Sequence, residues 1–296
     1  MTAAVYAARK GLDIELISHD LGGQAKWSWS VENYMGFSYI KGAELMHRFE
    51  EHMRQFGFPV EYSTVTQVIK KHPGFAVRLE GGRLVEALAV LVATGKSPRH
   101  LDVPGEENLI GRGVSYCATC DAPIFAGMDV VVAGGGNSAL SAAIQLLKYA
   151  RNVAIVSMED WTGDAVLREK LASEPRVKAF KYSEVTEVIG EMMVNAVRIR
   201  SRKTEDETLL PVRGVFVEVG QKPNSSIVKG LVDLNEAGEI VIDCSNRTSV
   251  PGIFAAGDVS SVPEKQIIIA AGEGAKAALA AYEYIVRQKP SVAKAA

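Results

Sequence analysis

The residue types best suited to chemistry in this chain are a pair of thiols with an acid beside them. Cys117 and Cys120 are separated by two residues, and Asp121 follows directly. A dithiol at this spacing closes a small ring readily, and thiol–disulfide exchange needs a reachable thiolate with a lowered pKa. Asp121 could move a proton when the disulfide opens; in the alternative it only caps the following turn. The spacing predicts a redox pair.

Other interpretations of the cysteine pair find less support in the sequence. Zinc needs about four ligands, and Cys244 and the five histidines form no second cluster, so we predict no metal site. A thioredoxin-type fold would need its own strand–helix–strand context before the pair, and none precedes it. Two buried structural thiols stay possible. We expect Cys244 to be a small buried residue on a strand, and we expect surface positions for His19, His47, His52, His72 and His100.

A glycine turn follows the cysteine pair. The strand Asp129–Ala133 runs into Gly134-x-Gly136-x-x-Ala139, then into a helix to Tyr149 and a strand at 152–156. In this fingerprint the glycines allow a tight turn and close approach of a pyrophosphate, and the helix N-terminus favours phosphate. We predict NAD(P)H contacts at Gly134, Gly135, Gly136, Asn137 and Ser138. The alternative is a glycine-rich packing turn.

The residues after the second strand bear on the choice of nicotinamide. A 2′-phosphate favours arginine and a free 2′-hydroxyl favours an acid. Glu159 and Asp160 stand there, and the next arginine is Arg168. We therefore favour NADH over NADPH, with Glu159 as a contact. The alternative is that both acids only solvate a loop.

Length and composition exclude several classes of protein. The chain has 296 residues, 47% hydrophobic and 23% charged, and a net charge of −2. These values suit a two-domain globular protein and give no basic surface for nucleic acid. The apolar runs are too short to span a membrane, and the start lacks the features of a secretory signal. The sequence predicts a cytoplasmic protein.

The predicted elements suggest one domain that is split by an insertion. An Ala-rich helix at 2–10 and a short strand at 12–18 open the chain, but the strand and glycine turn that should precede them are absent. A strand ending in Gly257 and Asp258 is followed by a helix at 266–287. We place the linkers near 111–113 and 220–223, and we expect a frayed tail after Lys289. Further strands are predicted at 64–68, 75–79, 87–92, 185–189, 196–200 and 215–219.

Several short motifs together carry a resemblance that covers the whole chain. They are Leu21-Gly-Gly-Gln24, Val31-Glu-Asn-Tyr34, Ala93-Thr-Gly95, Val103-Pro-Gly-Glu106, Cys117-Ala-Thr-Cys-Asp121, Gly134-Gly-Gly-Asn-Ser138, Phe254-Ala-Ala-Gly-Asp258 and Lys265-Gln-Ile-Ile-Ile269. In this order they resemble the low-molecular-weight thioredoxin reductases and the related flavoprotein subunit of alkyl hydroperoxide reductase. The resemblance implies an α/β fold with two Rossmann-like three-layer nucleotide-binding domains, the second inserted in the first. FAD would bind residues 1–111 and 241–296, and NAD(P)H would bind residues 112–240.

The resemblance also implies roles for individual residues. Cys120 would lie next to the flavin, Cys117 would attack the partner disulfide, and Asp121 would be the acid–base residue. Asp258 would lie on the ribitol side of FAD, and the last helix would open beside the flavin ring. The full set of implied FAD contacts is Gly22, Gly23, Gln24, Asn33, Ala93, Thr94, Gly95, Gly257, Asp258, Gln266 and Ile267. Trp27 and Trp29 flank a loop near the flavin and could serve packing or partner contact.

The activity implied by the resemblance is transfer of electrons from NAD(P)H through FAD and the dithiol to a thioredoxin-like protein disulfide, by a homodimer whose domains rotate. The stretch 262–276 looks closest to the hydroperoxide-reductase branch, so a peroxiredoxin or another acceptor is the alternative.

The chain departs from the family pattern in two places. Ser157-Met-Glu159 replaces the arginine motif of NADPH-using members, and the first strand and FAD glycine loop are missing. We expect that Met1 was assigned as the first residue too far along the chain. If Met1 is the true first residue, FAD would bind weakly, and a degenerate, FAD-poor binding protein is the alternative.

Overall fold

The computed structural model describes residues 1–28 and 31–288. Its helices are α1 (Thr2–Arg9), α2 (Gly42–Arg54), α3 (Ala118–Asp121), α4 (Asn137–Leu146), α5 (Ala165–Ala172) and α6 (Ile267–Gln288). Its strands are β1 (Leu16–Ser18), β2 (Val60–Tyr62), β3 (Val65–Lys70), β4 (Phe75–Leu79), β5 (Leu84–Ala87), β6 (Val90–Val92), β7 (Lys96–Pro98), β8 (Val114–Ser115), β9 (Asp129–Ala133), β10 (Asn152–Ser157), β11 (Val177–Lys181), β12 (Ser183–Gly190), β13 (Val194–Ser201), β14 (Glu207–Pro211), β15 (Gly214–Val217), β16 (Gln221–Pro223) and β17 (Ile253–Ala255).

The chain divides into two units, and the second interrupts the first. The first unit contains Met1–Ala25, Glu44–Ser97 and the chain from Lys222 onward; the second contains Lys26–Ala43 and Pro98–Gln221. The chain therefore crosses between the units at 25/26, 43/44, 97/98 and 221/222. The predicted domains divide at 111/112 and 240/241. The crossing at 221/222 falls inside the predicted linker at 220–223.

The hydrophobic cores explain why the boundaries differ from the predicted ones. Leu109 is buried in the core of the second unit together with Val114 of β8, and Leu101 packs against the same cluster. At the other boundary, Val228 and Ile240 are buried in the core of the first unit. Glycines at 111 and 113 looked like a linker, but burial of the apolar residues on either side decides which unit a segment joins.

The second unit is built on a parallel sheet with the strand order β11-β10-β9-β15-β8. Both faces of the sheet are covered, which is typical of parallel sheets and explains the continuous apolar strands. In β9, Val130 and Val132 belong to a core shared with Leu140 of α4. Val131, between them, belongs to the opposite core together with Val197 of β13.

Three layers result in the second unit: helices α4 and α5, the parallel sheet, and the antiparallel sheet β12-β13-β14. Because the strands are parallel, all their carboxyl ends lie at one edge, where the connecting turns to the helices begin. One such turn joins β9 to α4. Helix α4 begins at Asn137, two residues before the predicted start at Ala139, because Gly136 has the extended conformation of an N-cap residue.

The first unit contains a helix pair and three small sheets. Helix α1, predicted at 2–10, ends at Arg9 before Gly11 and packs against α6. Strand β1 pairs in parallel with β2, and β17 pairs in parallel with β6, as two separate sheets; β3, β4 and β5 form an antiparallel sheet. The predicted strand at 87–92 is divided between β5 and β6. No helix in the described part of the chain is long and apolar enough to cross a membrane.

Candidate redox and nucleotide site

The two cysteines of the predicted redox pair form a disulfide at the start of α3. Cys117 is extended, with φ −143°, and is the N-cap of the helix. One helical turn brings Cys120 back over it, so the Cα atoms of the pair lie 5.3 Å apart and the sulfurs are bonded. The backbone N–H of Cys120 donates to Cys117 Sγ at 3.2 Å. This donor would stabilise a thiolate on Cys117 after the disulfide opens.

Apolar packing holds the redox turn against the sheet. Ala118, Ala122 and Phe125 are buried in the same core as the inner face of α4. Thr119 is exposed between the cysteines, and its hydroxyl is 3.1 Å from Gln145 Oε1 on α4. The disulfide therefore lies on a turn that is held by packing, while Thr119 between the cysteines faces solvent. This arrangement suits thiol–disulfide exchange with another molecule.

Asp121 is a buried acid on the same turn. It is 8% exposed, and its Oδ2 accepts a hydrogen bond from Ser115 Oγ at 2.6 Å. Burial raises the pKa of Asp121 to about 6, although the hydrogen bond from Ser115 acts in the opposite direction. Among the described residues no donor or acceptor contacts Oδ1. A carboxyl group with one free oxygen and a pKa close to neutral can hold or release a proton beside the disulfide.

Ser115 links the acid to the cysteine pair, and the sequence analysis did not identify it. Its hydroxyl oxygen accepts from the backbone N–H of Cys117 at 3.1 Å while it donates to Asp121. Ser115 ends β8 and is 5% exposed. A polar residue directly after the apolar Val114 and two residues before the cysteine pair was the available signal, because a buried hydroxyl must find partners.

The predicted nucleotide turn has the geometry that a dinucleotide requires. Gly134 has φ +134°, and an added Cβ would collide with the carbonyl oxygen of Glu218 and lie 3.1 Å from Ala139 Cβ. Helix α4 begins after Gly136 without a side-chain cap. The loop after β10 contacts this turn: the N–H groups of Thr162 and Gly163 donate to the carbonyl oxygen of Gly135. Backbone N–H groups at a helix start without a side-chain cap can bind phosphate. The residues present therefore fit a pyrophosphate at Gly134–Ser138.

Charges after β10 are more balanced than the sequence suggested. Glu159 is exposed, and no cation among the described residues forms an ion pair with its carboxylate. Asp160, however, lies 2.7 Å from Lys181 Nζ, and this hydrogen bond lowers the pKa of Asp160. The sequence argument counted Asp160 as an uncompensated negative charge, which is wrong because β11 places Lys181 beside it. The two side chains line a cavity of about 290 Å³ together with Trp161, Ala165, Arg168, Glu169 and Ala172.

The predicted FAD contacts are distributed over four loops, and a hydrogen bond brings two of them together. Gln24 Nε2 donates to the carbonyl oxygen of Lys96, the first residue of β7, which directly follows Ala93, Thr94 and Gly95. Gly23 has φ +51° and open space where a side chain would lie. Asn33 falls in the segment Lys26–Ala43, which belongs to the second unit, unlike the other ten predicted contacts.

Asp258 is flanked by an ion cluster that the sequence analysis missed. Glu239 Oε1 lies 2.6 Å from Lys96 Nζ and 3.1 Å from Lys265 Nζ, and all three side chains are less than 20% exposed. Burial alone would raise the pKa of Glu239, but hydrogen bonds that include those from both lysines lower it to about 2. Burial raises the pKa of Asp258, and the lysine charges oppose this rise.

This arrangement fits a polar cofactor. Asp258 follows β17 in a short turn, and Gln266 and Ile267 stand where α6 begins. A half-buried acid at a strand end, opposed by lysine charge, can accept hydrogen bonds from hydroxyl groups. Open space at Gly23 and the acid at Asp258 are the features of the first unit that fit FAD.

Other expectations about possible sites have mixed outcomes. Cys244 is exposed in a turn, so the prediction of a buried strand residue is wrong; the neighbouring Asp243 closes that turn by accepting from Ser245 and Asn246. All five histidines are exposed, as predicted. Within residues 1–28 and 31–288 no group of three metal-ligating side chains occurs. Trp27 is exposed and its ring packs against Tyr116. Trp29 and the predicted frayed tail lie outside the described residues.

A cysteine pair and a dinucleotide-type glycine turn on one unit are typical of oxidoreductases that link a pyridine nucleotide to a disulfide. The comparison of sequences agrees with this: the chain belongs to the Pyridine nucleotide-disulphide oxidoreductase family, which it matches over residues 1–278. The predicted fold class is confirmed by the same family and by solved structures. FAD and NAD(P)H are the cofactors that this family implies.

Two relatives are similar in sequence to almost the whole of this chain. The F subunit of alkyl hydroperoxide reductase from Staphylococcus aureus is 41% identical over 288 residues, which are 97% of this chain and 57% of that protein. Its counterpart from Pseudomonas putida is 40% identical over 290 residues, 96% of this chain and 56% of that protein. The chain thus spans just over half the length of these relatives.

Solved structures resemble the chain over nearly their whole length. Thioredoxin reductase from Streptococcus pyogenes superimposes with a TM-score of 0.90 at 36% identity, covering 97% of this chain and 94% of that one. Thioredoxin reductase from Giardia duodenalis gives 0.88 at 31% identity, covering 96% and 94%. The predicted membership of the thioredoxin reductase and hydroperoxide reductase flavoprotein group is therefore confirmed.

Proposed function

We propose that this protein is an FAD-dependent disulfide reductase that passes electrons from NAD(P)H to the Cys117–Cys120 pair and then to a thioredoxin-like protein disulfide. One observation carries the proposal: the disulfide, the buried Asp121 carboxyl and the glycine turn Gly134–Ser138 all occur in one unit. A structural disulfide would need neither a buried acid on its own turn nor an exposed residue between its cysteines.

The side chains of this unit have distinct roles in the proposed reaction. Cys117 attacks the partner disulfide, helped by the N–H of Cys120 that points at its sulfur. Cys120 then closes the ring and releases the partner as a dithiol. Asp121, positioned by Ser115, gives or takes the proton that balances each thiol–thiolate change. Bound FAD would supply the two electrons, taken from the nicotinamide as a hydride, that open the disulfide again.

Support for the cofactor contacts differs between the two units. We propose Gly134, Gly135, Gly136, Asn137 and Ser138 for the nicotinamide pyrophosphate, because the turn packs closely on Glu218 and Ser157 and ends at a helix start without a side-chain cap. In the first unit we propose Gln24, Gly95, Asp258 and the other predicted residues of that unit for FAD. Asn33, which belongs to the second unit, stays a separate prediction. The ion cluster at Glu239 holds Lys96 and Lys265 beside Asp258.

A peroxiredoxin is the second candidate acceptor. It is favoured by the relatives named as the F subunit of alkyl hydroperoxide reductase, at 40–41% identity, whereas the solved structures are named thioredoxin reductases. Parallel assays with a thioredoxin and a peroxiredoxin of the same organism distinguish the two acceptors by their kcat/KM values. A cytoplasmic homodimer is the state in which we propose that the protein works.

The reductase proposal is tested first by flavin content and a small disulfide. We expect purified protein, or protein reconstituted with FAD, to show the visible flavin spectrum and to reduce dithionitrobenzoate with NADH. Photometric titration of the flavin by NADH without oxygen checks the first half of the reaction separately. A colourless protein that takes up no added FAD would contradict the proposal and would favour a binding protein without flavin.

For the donor we propose NADH, because Glu159 leaves an uncompensated negative charge at the end of β10, where a 2′-phosphate would approach. In Glu159→Arg we expect the ratio of kcat/KM for NADPH to that for NADH to rise about tenfold, since a hydrogen bond to a charged group contributes about 1.5–3 kcal/mol. Glu169→Gln, which leaves β10 unchanged, is the matched control. An unchanged ratio in Glu159→Arg would show that this residue does not face the ribose.

A further inference from the structure

Glu218 is a titratable residue beside the redox turn that the reaction described above does not use. It follows β15, the strand between β8 and β9, and its backbone N–H donates to the carbonyl oxygen of Ala133 at 2.8 Å. Its own carbonyl oxygen lies against Gly134. The backbone of Glu218 is thus fixed at the carboxyl edge of the sheet, next to the nucleotide turn.

The side chain of Glu218 lies beside the turn that carries the cysteine pair. Phe216 of β15 pairs in parallel with Ser115 of β8, so Glu218, two residues further on, lies level with Cys117. Its carboxylate is close to the backbone N–H of Ala118, the residue directly after Cys117. The acid interrupts an otherwise apolar run, Val215-Phe-Val-Glu-Val219. Burial raises the pKa of Glu218 to about 7, although the N–H of Ala118 acts in the opposite direction. A group in this position changes its charge within the working pH range of a thiol pair.

The charged groups on the elements around Glu218 include Arg99, whose side chain lies against Gly220, two residues after Glu218. Helix α3 contributes Asp121, bonded to Ser115, and the two cysteines. Strand β8 and helix α4 contain no charged residue. On β9 the charged residue is Asp129, at the opposite end of the strand and paired with Arg151. On β13 the arginines are already paired with acids, as Arg198 with Glu187 and Arg200 with Glu184.

We propose that Glu218 is a positioning residue of the dithiol, which holds the redox turn through the Ala118 N–H and takes up a proton from solvent when the disulfide is reduced. This inference rests on the proposed redox function of Cys117 and Cys120. Two electrons break the S–S bond, one proton makes one sulfur a thiol, and the other sulfur stays a thiolate. The second proton binds the Glu218 carboxylate, so two electrons and two protons leave the net charge unchanged.

The physical reason is repulsion between like charges in a partly buried place. A new thiolate on the turn disfavours the ionised carboxylate, so the reduced protein binds the proton more tightly than the oxidised protein does. The two titrations are therefore coupled. Conversely, an ionised Glu218 makes reduction less favourable at alkaline pH, while below about pH 6 the neutral carboxyl has no such effect.

The test measures the dithiol directly and uses neither flavin nor nicotinamide. The full chain is equilibrated with mixtures of reduced and oxidised dithiothreitol from pH 6 to pH 9, and trapped thiols are counted by mass. In Glu218→Gln, which keeps the acceptor for Ala118, we expect the equilibrium constant for reduction at pH 8 to rise about tenfold, about 30 mV for two electrons. At pH 6 the two proteins should agree. Glu191→Gln, an exposed acid on the β12–β13 hairpin, is the control.

A second measurement keeps the proposal testable if Glu218→Gln folds poorly. In the parent protein at pH 8, the infrared difference between reduced and oxidised forms should show a protonated carboxyl band, which Asp121→Asn retains. The proposal would be overturned if the equilibrium constants for reduction of Glu218→Gln and of the parent protein differed equally at every pH. It would also be overturned if the two constants agreed at every pH and no carboxyl band appeared. Either result would leave Glu218 a structural contact. Because no electron donor but dithiothreitol is used, failure here leaves the reductase proposal intact, and absence of flavin activity leaves this test valid.

Discussion

Replacement of Cys117 by serine is expected to abolish reduction of a protein disulfide, lowering kcat at least about a thousandfold, as loss of a covalent nucleophile does in other enzymes. The reason is that serine at this place has no thiolate and cannot form the mixed disulfide with the partner. Flavin reduction by NADH, measured without oxygen, should continue because it precedes the dithiol. Turnover with NADH and a thioredoxin or peroxiredoxin partner is the measurement.

Cys120→Ser separates the roles of the two sulfurs. With Cys117 still able to attack, this variant should trap a stable mixed disulfide with the partner, visible as a covalent complex that dithiothreitol dissolves. Cys117→Ser should trap none, and Cys244→Ser, which alters the exposed third cysteine, should behave like the parent. If Cys117→Ser reduced a natural protein partner at the parent rate, the dithiol would not be on the electron path.

The second large effect is expected for Asp121→Asn. Asparagine keeps the size and can still accept from Ser115 Oγ, but it cannot exchange a proton with the cysteine pair. General acid–base catalysis contributes about 10²–10⁴-fold, so we expect the rate of dithiol–disulfide interchange to fall by that range. Rapid-mixing measurement of flavin reoxidation by the partner reports this step. Asp206→Asn, at an exposed hairpin, is the control; an equal loss in both variants would contradict the assignment.

Asp121 should also leave a signature in stability. Because burial raises its pKa from 3.8 to about 6, the folded protein holds a proton that the unfolded chain has already released between these values. The free energy of unfolding therefore falls as the pH rises from about 4 to about 6 and stays lower above. This contribution is about 3 kcal/mol for a shift of this size. Urea unfolding at pH 4 and pH 8 should show a smaller difference in Asp121→Asn than in the parent.

Local patterns in the sequence were sufficient for several features. The strand, glycine turn and helix from Asp129 onward are local, because a buried strand, a positive-φ glycine and a helix start without a side-chain cap each depend on adjacent residues. The same holds for the disulfide, since one helical turn brings Cys117 and Cys120 together. Spacing alone could therefore predict the chemistry of the pair, and the ordered motifs could predict the family.

Features that join distant segments were not accessible in this way. Lys181 lies beside Asp160 because β11 pairs with β10 in parallel, and this pairing corrected the charge count used for the nicotinamide. Glu218 meets Ala118 only because β15 lies between β8 and β9. Likewise, Lys96, Glu239 and Lys265 form their cluster across more than a hundred residues of chain.

The sequence by itself thus determined the cysteine pair with its neighbouring acid and the glycine turn, which are encoded by residues a few positions apart. It also determined the class of fold, through the order of short motifs along the whole chain. Only the tertiary structure decided the domain boundaries, the pairing of charges and the pKa of Asp121. The reason is that burial and electrostatics depend on which side chains surround a group in space, and strand order brings those neighbours from remote parts of the chain.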